Sequence, residues 1–135
     1  MTSQRQFWLE ADPVSWEVIR EALRGVWASA APSPSMSASE RATARRERMQ
    51  AEACLRLVTA TLRAGHTQCD FPLRYLRFVE TACAELGWRY VYAERQGGEA
   101  SADQARRGRE AFALAAHIAR TINREADQGE LVFVH

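Results

Sequence analysis

Residues 88–95 read WRYVYAER, and this stretch decides the predicted fold. Its aromatic side chains stand at alternate positions, which is the period-two pattern of a strand. A helix is predicted to follow, through about Ala126, and residues 130–135 (ELVFVH) then indicate another strand. The intervening segment is long enough for a right-handed crossover between parallel strands. The sequence therefore predicts a strand–helix–strand unit in the last third of the chain.

The N-terminal part is predicted to begin with a short strand and a helix. Residues 4–11 contain the strand, around QFWLE. Asp12 is a favourable N-cap and Pro13 a favourable first helical residue, so a helix is expected from there to about Trp27. Residues 28–37 (ASAAPSPSMS) combine small residues with two prolines and predict a flexible loop.

Two further helices are predicted in the middle of the chain. Ser37 and Glu40 have the spacing of a capping box, which starts a long helix ending near Gly65. A third helix is expected to begin after Asp70 and to stop at Gly87. The predicted fold is a single compact α+β domain of order β-α-α-α-β-α-β, in which about four helices pack on a small three-stranded sheet.

The composition fits one globular domain and excludes some chemistries. The chain has 135 residues, of which 47% are hydrophobic, and a net charge of +1. All 18 basic side chains are arginine. The absence of lysine excludes Schiff-base catalysis and a Walker-A phosphate loop. A GC-rich genome would also favour arginine over lysine. The pI of about 7.8 is lower than is usual for a dedicated nucleic-acid-binding domain.

The sequence predicts a cytoplasmic protein that does not bind membranes. Residues 1–10 lack the apolar region of a signal peptide. No apolar run approaches the roughly 18 residues of a membrane span. Cys54, Cys69 and Cys83 lack paired spacing, which favours reduced thiols.

Two rows of arginines on predicted helices are the main candidates for contact with a partner. The arginines of the first row lie within about 80° of one another on the helical wheel of the second helix. The second row begins near the N-terminus of the last helix, where the helix dipole disfavours cations. The alternative is that both rows are solvated faces with intrahelical ion pairs such as Glu52–Arg56. The predicted partner-binding residues are Arg41, Arg45, Arg48, Arg56, Arg63, Arg106, Arg109, Arg120 and Arg124.

The aromatic residues of the predicted strand form a second candidate site. Trp88, Tyr90 and Tyr92 would share one face of that strand, where they could stack on nucleic-acid bases. Because four helices are enough to cover both faces of a small sheet, the alternative is that these side chains belong to the core.

Residues 95–100 (RQGGEA) satisfy the pattern R/Q-x-x-G-x-G/A between a predicted strand and a predicted helix. This segment resembles the pyrophosphate loop of the GNAT acetyltransferases, over the last third of the chain only. The resemblance implies coenzyme A held by backbone amides and a helix N-terminus. A coenzyme-A-dependent acyltransferase is therefore one hypothesis for function.

Other signals of chemistry are absent from the sequence. No nucleophile elbow, zinc-protease motif or dinucleotide-binding motif occurs. His66 and Cys69 supply only half of the spacing of a structural zinc site. We therefore expect no metal and no cofactor, and an enzyme is less favoured than a binding protein.

The sequence favours a small non-catalytic protein that binds a macromolecule through its arginine-lined helices. An inhibitor or adaptor acting on a protein partner is the leading hypothesis, and a phage or mobile-element anti-defence factor is consistent with the size and charge. A nucleic-acid-binding protein is the alternative. A homodimer is a further option, because Trp8, Trp16 and Trp27 near the N-terminal elements could line a dimer surface instead of the core.

Overall fold

The structure, a computed structural model, describes residues 6–95 and 102–133, which form two strands and four helices. The elements in chain order are β1 (Gln6–Glu10), α1 (Pro13–Ser29), α2 (Ala38–Ala64), β2 (Gln68–Pro72), α3 (Leu73–Arg95) and α4 (Ala102–Phe133).

The predicted three-stranded α+β fold is wrong, because the strands expected late in the chain are helical. Residues 88–95 form the last two turns of α3, and α4 extends to Phe133. In a helix, Trp88 and Tyr92 lie one turn apart on the same face, whereas Tyr90 lies on the opposite side. Aromatic residues at alternate positions are therefore also compatible with a helix, in which neighbouring members of the series lie on opposite sides. The described sheet has two antiparallel strands, β1 and β2.

The β1–β2 pairing joins the start of the chain to its middle. Phe7 pairs with Phe71 and Leu9 with Cys69, and all four side chains are buried. β1 agrees with the predicted first strand, whereas β2 was not predicted, because a helix was expected to begin directly after Asp70. The alternation of buried Cys69 and Phe71 is the signal that could have revealed this strand.

The predicted starts of α1 and α2 are confirmed by their caps. The side chain of Asp12 accepts a 2.7 Å hydrogen bond from the amide of Ser15. In the capping box of α2, the amide of Glu40 donates to Ser37 Oγ at 3.1 Å, and the amide of Ser37 donates to Glu40 Oε1 at 3.2 Å. Gly65 ends α2 with φ of 69°, a left-handed conformation that suits glycine.

The core lies where the inner faces of the helices meet β1 and β2. The indole of Trp16 is fully buried, stacks against Phe71 at 6.2 Å between ring centroids and donates to the carbonyl oxygen of Thr67 at 3.2 Å. Trp16 is therefore a core residue and not part of a dimer surface. Trp8 and Trp27, by contrast, are exposed. The largest fully buried side chains are Trp16, Phe71, Leu9, Ile19, Leu23, Leu76, Ile118, Val58, Val79, Cys54 and Cys83.

Candidate partner-binding surface

The outer side of α2 carries three of the predicted partner-binding arginines. Arg45, Arg56 and Arg63 project from the side of the helix opposite the buried Ala51, Cys54 and Val58, and each is exposed. Met49, which is 68% exposed, lies among them within about 40° on the helical wheel. These four residues, Arg45, Met49, Arg56 and Arg63, are called the arginine face below.

The charges of the arginine face are not neutralised within the described chain. No carboxylate of residues 6–95 or 102–133 forms an ion pair with Arg45, Arg56 or Arg63. The Glu52–Arg56 ion pair, which the alternative of a solvated face predicts, does not form between these described residues. Instead, Glu52 accepts a hydrogen bond from the indole nitrogen of Trp27 at 3.1 Å. The guanidinium groups are therefore available to an external anionic surface.

Two other members of the predicted α2 row point toward α1 and its following loop. Arg48 Nε donates to the carbonyl oxygen of Trp27 at 3.0 Å, and its guanidinium carbon lies 3.9 Å from the centre of the Trp27 ring. Arg48 therefore joins α1 to α2. Arg41 is half-buried and lines a shallow depression with Pro32 and Pro34.

The predicted row on α4 is partly neutralised by nearby carboxylates. Arg106 lies 3.3 Å from Asp103 and 4.0 Å from Glu110, so it forms the expected local ion pairs of a solvated helix. These pairs offset the unfavourable position of Arg106 near the positive end of the helix dipole. The remaining members of the row, Arg109, Arg120 and Arg124, are exposed.

Tyr90 lies in a polar cluster and not on a stacking surface. Its hydroxyl donates to Glu21 Oε1, while Arg107 Nη1 lies 3.3 Å from Glu21 Oε2. Burial raises the pKa of the Tyr90 hydroxyl, and the adjacent Glu21 carboxylate adds to this effect. The cluster joins α1, α3 and α4, so the prediction that Tyr90 shares a face with Trp88 and Tyr92 is wrong.

Trp88 and Tyr92 are the exposed members of the predicted aromatic site. Their side chains are 61% and 66% exposed. Trp88 contacts Phe112 of α4 edge-on, with 5.3 Å between ring centroids. One side of the indole is therefore supported by α4 while the other is open to a partner.

A shallow groove separates α2 from α3 beside the arginine face. One depression of about 390 Å³ is lined by residues including Met49, Arg74 and Tyr75. A second depression of about 340 Å³ continues along α3 past Arg77. Arg74 and Arg77 were not among the predicted partner-binding residues. A helical wheel of residues 73–95 would have placed both on the outer side of α3.

The described cysteines and acidic residues do not form a cluster that could hold a metal ion. No group of three or more His, Cys, Asp or Glu side chains in residues 6–95 and 102–133 is placed to hold a metal ion. Cys54, Cys69 and Cys83 are buried, and burial raises the pKa of Cys54 and of Cys83 to about 12. Such thiols are protonated at neutral pH and are poor nucleophiles.

The segment that resembles an acetyltransferase loop does not follow a strand. Residues 88–95 are helical, so the local context on which the resemblance depended is absent. The glycines of the pattern, in residues 96–101, lie outside the described part of the chain. Coenzyme A binding therefore stays an untested prediction.

Comparison of the chain with protein-family models, curated proteins and solved structures finds no significant match. Over the described ranges, none of the helices is long and apolar enough to cross a membrane.

Proposed function

We propose that this protein is a non-catalytic binding protein, an inhibitor or adaptor, that engages an acidic surface of a protein partner through the arginine face of α2. The observation that carries the proposal is the exposure of Arg45, Arg56 and Arg63 with no carboxylate partner in the described chain. The exposed Met49 supplies an apolar contact among them.

The chemistry of the arginine face suits a protein partner. Guanidinium groups bind carboxylates through two parallel hydrogen bonds, and arginine and methionine are both enriched in protein interfaces. Arg45 and Arg63 are separated by about 27 Å along the helix axis, which is a span that a protein surface can cover. Glu52 lies in the same row, and the net charge is only +1. Both features favour an acidic protein over a nucleic acid, whose binding depends mainly on accumulated positive charge.

Affinity capture with matched variants tests the proposal. The purified protein, the triple variant R45Q/R56Q/R63Q and the control triple variant R109Q/R120Q/R124Q would be immobilised and exposed to a nuclease-treated bacterial lysate. The control removes three exposed arginines from α4 and therefore changes the net charge equally. We expect at least one protein to be retained by the parent and by the control, and to be lost from the α2 variant.

Three outcomes would contradict the proposal. One is equal retention of every captured protein by the two triple variants, which would mean that the arginine face does not determine binding. Another is the absence of any specifically retained protein. The third is a protein that the parent retains from a parallel lysate without nuclease but not from the nuclease-treated lysate, which would instead support nucleic-acid binding. Circular dichroism would establish that both variants keep the helical fold.

A further inference from the structure

The outer side of α3 carries an exposed row of residues that the arginine face does not include. Its members recur every three or four positions and lie within about 80° of one another on the helical wheel. All six are exposed, and none forms an ion pair within the described chain. The row, called the α3 stripe below, consists of Arg74, Arg77, Thr81, Glu85, Trp88 and Tyr92.

The side chains of the α3 stripe are complementary to those of a second α3 stripe that runs antiparallel to it. Arg77 precedes Thr81 by four residues and Glu85 follows it by four, while Arg74 and Trp88 stand seven residues to either side. Two antiparallel copies of α3 that cross at Thr81 would therefore place each arginine opposite a group that binds arginine. The paired positions extend over about 21 Å of helix from Arg74 to Trp88.

We propose that a second copy of this chain docks on the α3 stripe and forms a two-fold symmetric homodimer. In this dimer Arg77 pairs with the partner's Glu85, and Arg74 stacks on the partner's Trp88. Both contacts occur twice because a two-fold interface uses the same surface on each subunit. The α3 stripe shares no residue with the arginine face, although Arg74 and Met49 line the same groove between them. The dimer does not depend on the function proposed above.

The local contacts of the stripe suit this arrangement. The guanidinium of Arg74 lies over the ring of Tyr75 at 4.8 Å, and its other planar face can contact a second aromatic ring. The hydroxyl of Thr81 donates to the carbonyl oxygen of Arg77 at 3.1 Å. The hydroxyl of Thr81 therefore keeps a hydrogen-bond acceptor when the dimer forms. Burial of this small side chain at the symmetry axis leaves no unpaired donor.

A second copy also explains the exposed aromatic residues better than a nucleic acid would. Trp88 and Tyr92 are aromatic side chains of a type that is enriched in protein interfaces. Glu85 lies between the aromatic residues and the two arginines, where it would repel a phosphate backbone. In the homodimer the same carboxylate has a partner of opposite charge.

Charge-reversal variants and sedimentation velocity test the dimer. We expect the parent protein to show a concentration-dependent species of twice the 15.2 kDa mass of the chain. R77E and E85R should each weaken dimerisation by about tenfold or more, because each places like charges opposite one another twice. An equimolar mixture of R77E and E85R should regain the dimer as a heterodimer, since all facing charges are then opposite. A simple loss of folding would not be rescued by mixing.

Further variants connect the dimer to the stripe. W88A should also weaken dimerisation, whereas R120E on α4 should leave it unchanged, and circular dichroism would verify that each variant is folded. A parent protein that is monomeric up to submillimolar concentration would overturn the proposal. So would a mixture of R77E and E85R that stays monomeric, or single variants that dimerise as the parent does.

Discussion

Gly87 of α3 lies directly against the ring of Phe112 of α4, so that a Cβ atom at residue 87 would come within 2.9 Å of three ring carbons. Gly108 of α4 approaches Tyr90 of α3 in the same way, with its hypothetical Cβ 2.9 Å from Tyr90 Cβ. Each helix therefore presents a glycine where the other presents an aromatic residue. These two contacts set the close approach of α3 and α4.

Replacement of Gly87 by alanine should destabilise the protein by about 1–3 kcal/mol, because the added methyl group overpacks a tight contact. Phe112 cannot move away freely, since Trp88 lies against its ring. The free energy of unfolding would be measured by urea denaturation.

G25A is the matched control. There the new Cβ would meet only the flexible end of Arg89, at 3.0 Å, and the higher helix propensity of alanine should leave stability unchanged or raise it by up to about 1 kcal/mol. A G87A variant as stable as G25A would contradict this account of the α3–α4 contact.

Arg48 and Arg45 should differ in their effect on stability although both belong to the predicted α2 row. R48Q removes the hydrogen bond to the Trp27 carbonyl and the stacking on the Trp27 ring, so we expect a loss of about 1 kcal/mol. R45Q removes an exposed side chain with no carboxylate partner in the described residues and should change stability by less than about 0.5 kcal/mol. Chemical denaturation of the two variants would measure the difference. Equal effects would show that the Trp27–Arg48 contact does not join the helices.

The buried thiols should make the protein less stable at alkaline pH. The pKa of Cys54 and that of Cys83 are raised from 9.0 to about 12 by burial. Above pH 9 the unfolded chain loses these protons while the folded chain keeps them, so the unfolded state is favoured. The free energy of unfolding is therefore unaffected by ionisation of the thiols below pH 9 and declines as the pH rises toward 12.

Urea denaturation at several pH values between 8 and 11 would measure this decline, with the C54A/C83A variant as the reference. The double variant should be less stable at neutral pH because it creates cavities, but its stability should fall less steeply with pH. The contribution of Tyr90 is common to both proteins and cancels in the comparison. Identical slopes for the two proteins would mean that the thiols are not protected in the folded state.

Removal of the Tyr90 hydroxyl should loosen the junction of α1, α3 and α4. Y90F leaves Glu21 without one of its two hydrogen-bond donors, and we expect a loss of about 1 kcal/mol on urea denaturation. Y92F provides the control, because the ring of Tyr92 is 66% exposed. If the two variants were equally stable, the hydroxyl of Tyr90 would not contribute to this junction.

The parts of the fold that depend on neighbouring residues could be predicted from the sequence. Asp12, Ser37 and Glu40 act within one helical turn, and the positions of α1 and α2 followed from them. Gly65 likewise ended α2 because its left-handed conformation is a local requirement. In each case the residue and the group that it stabilises are separated by at most a few positions.

The errors arose where a residue serves a distant contact. Gly87 predicted a helix end, but it accommodates Phe112 on another helix, and the chain continues as α3 through Trp88 and Tyr92. The candidate site shows the same division. The helical wheel placed Arg45, Arg56 and Arg63 together, whereas the use of Arg48 by Trp27 depends on how α1 packs on α2.

The pairing of β1 with β2 has a consequence for how the polypeptide reaches its native state. The two strands are separated by roughly 60 residues of chain. Their pairing therefore has a large entropic cost of loop closure unless α1 and α2 have already associated. During synthesis on the ribosome, the side chains of Phe7 and Leu9 cannot be covered by β2 until residues 68–72 have emerged. We therefore expect α1 and α2 to associate first during folding. The pairing of β1 with β2 is expected to follow and to couple the two ends of this segment into one cooperative unit.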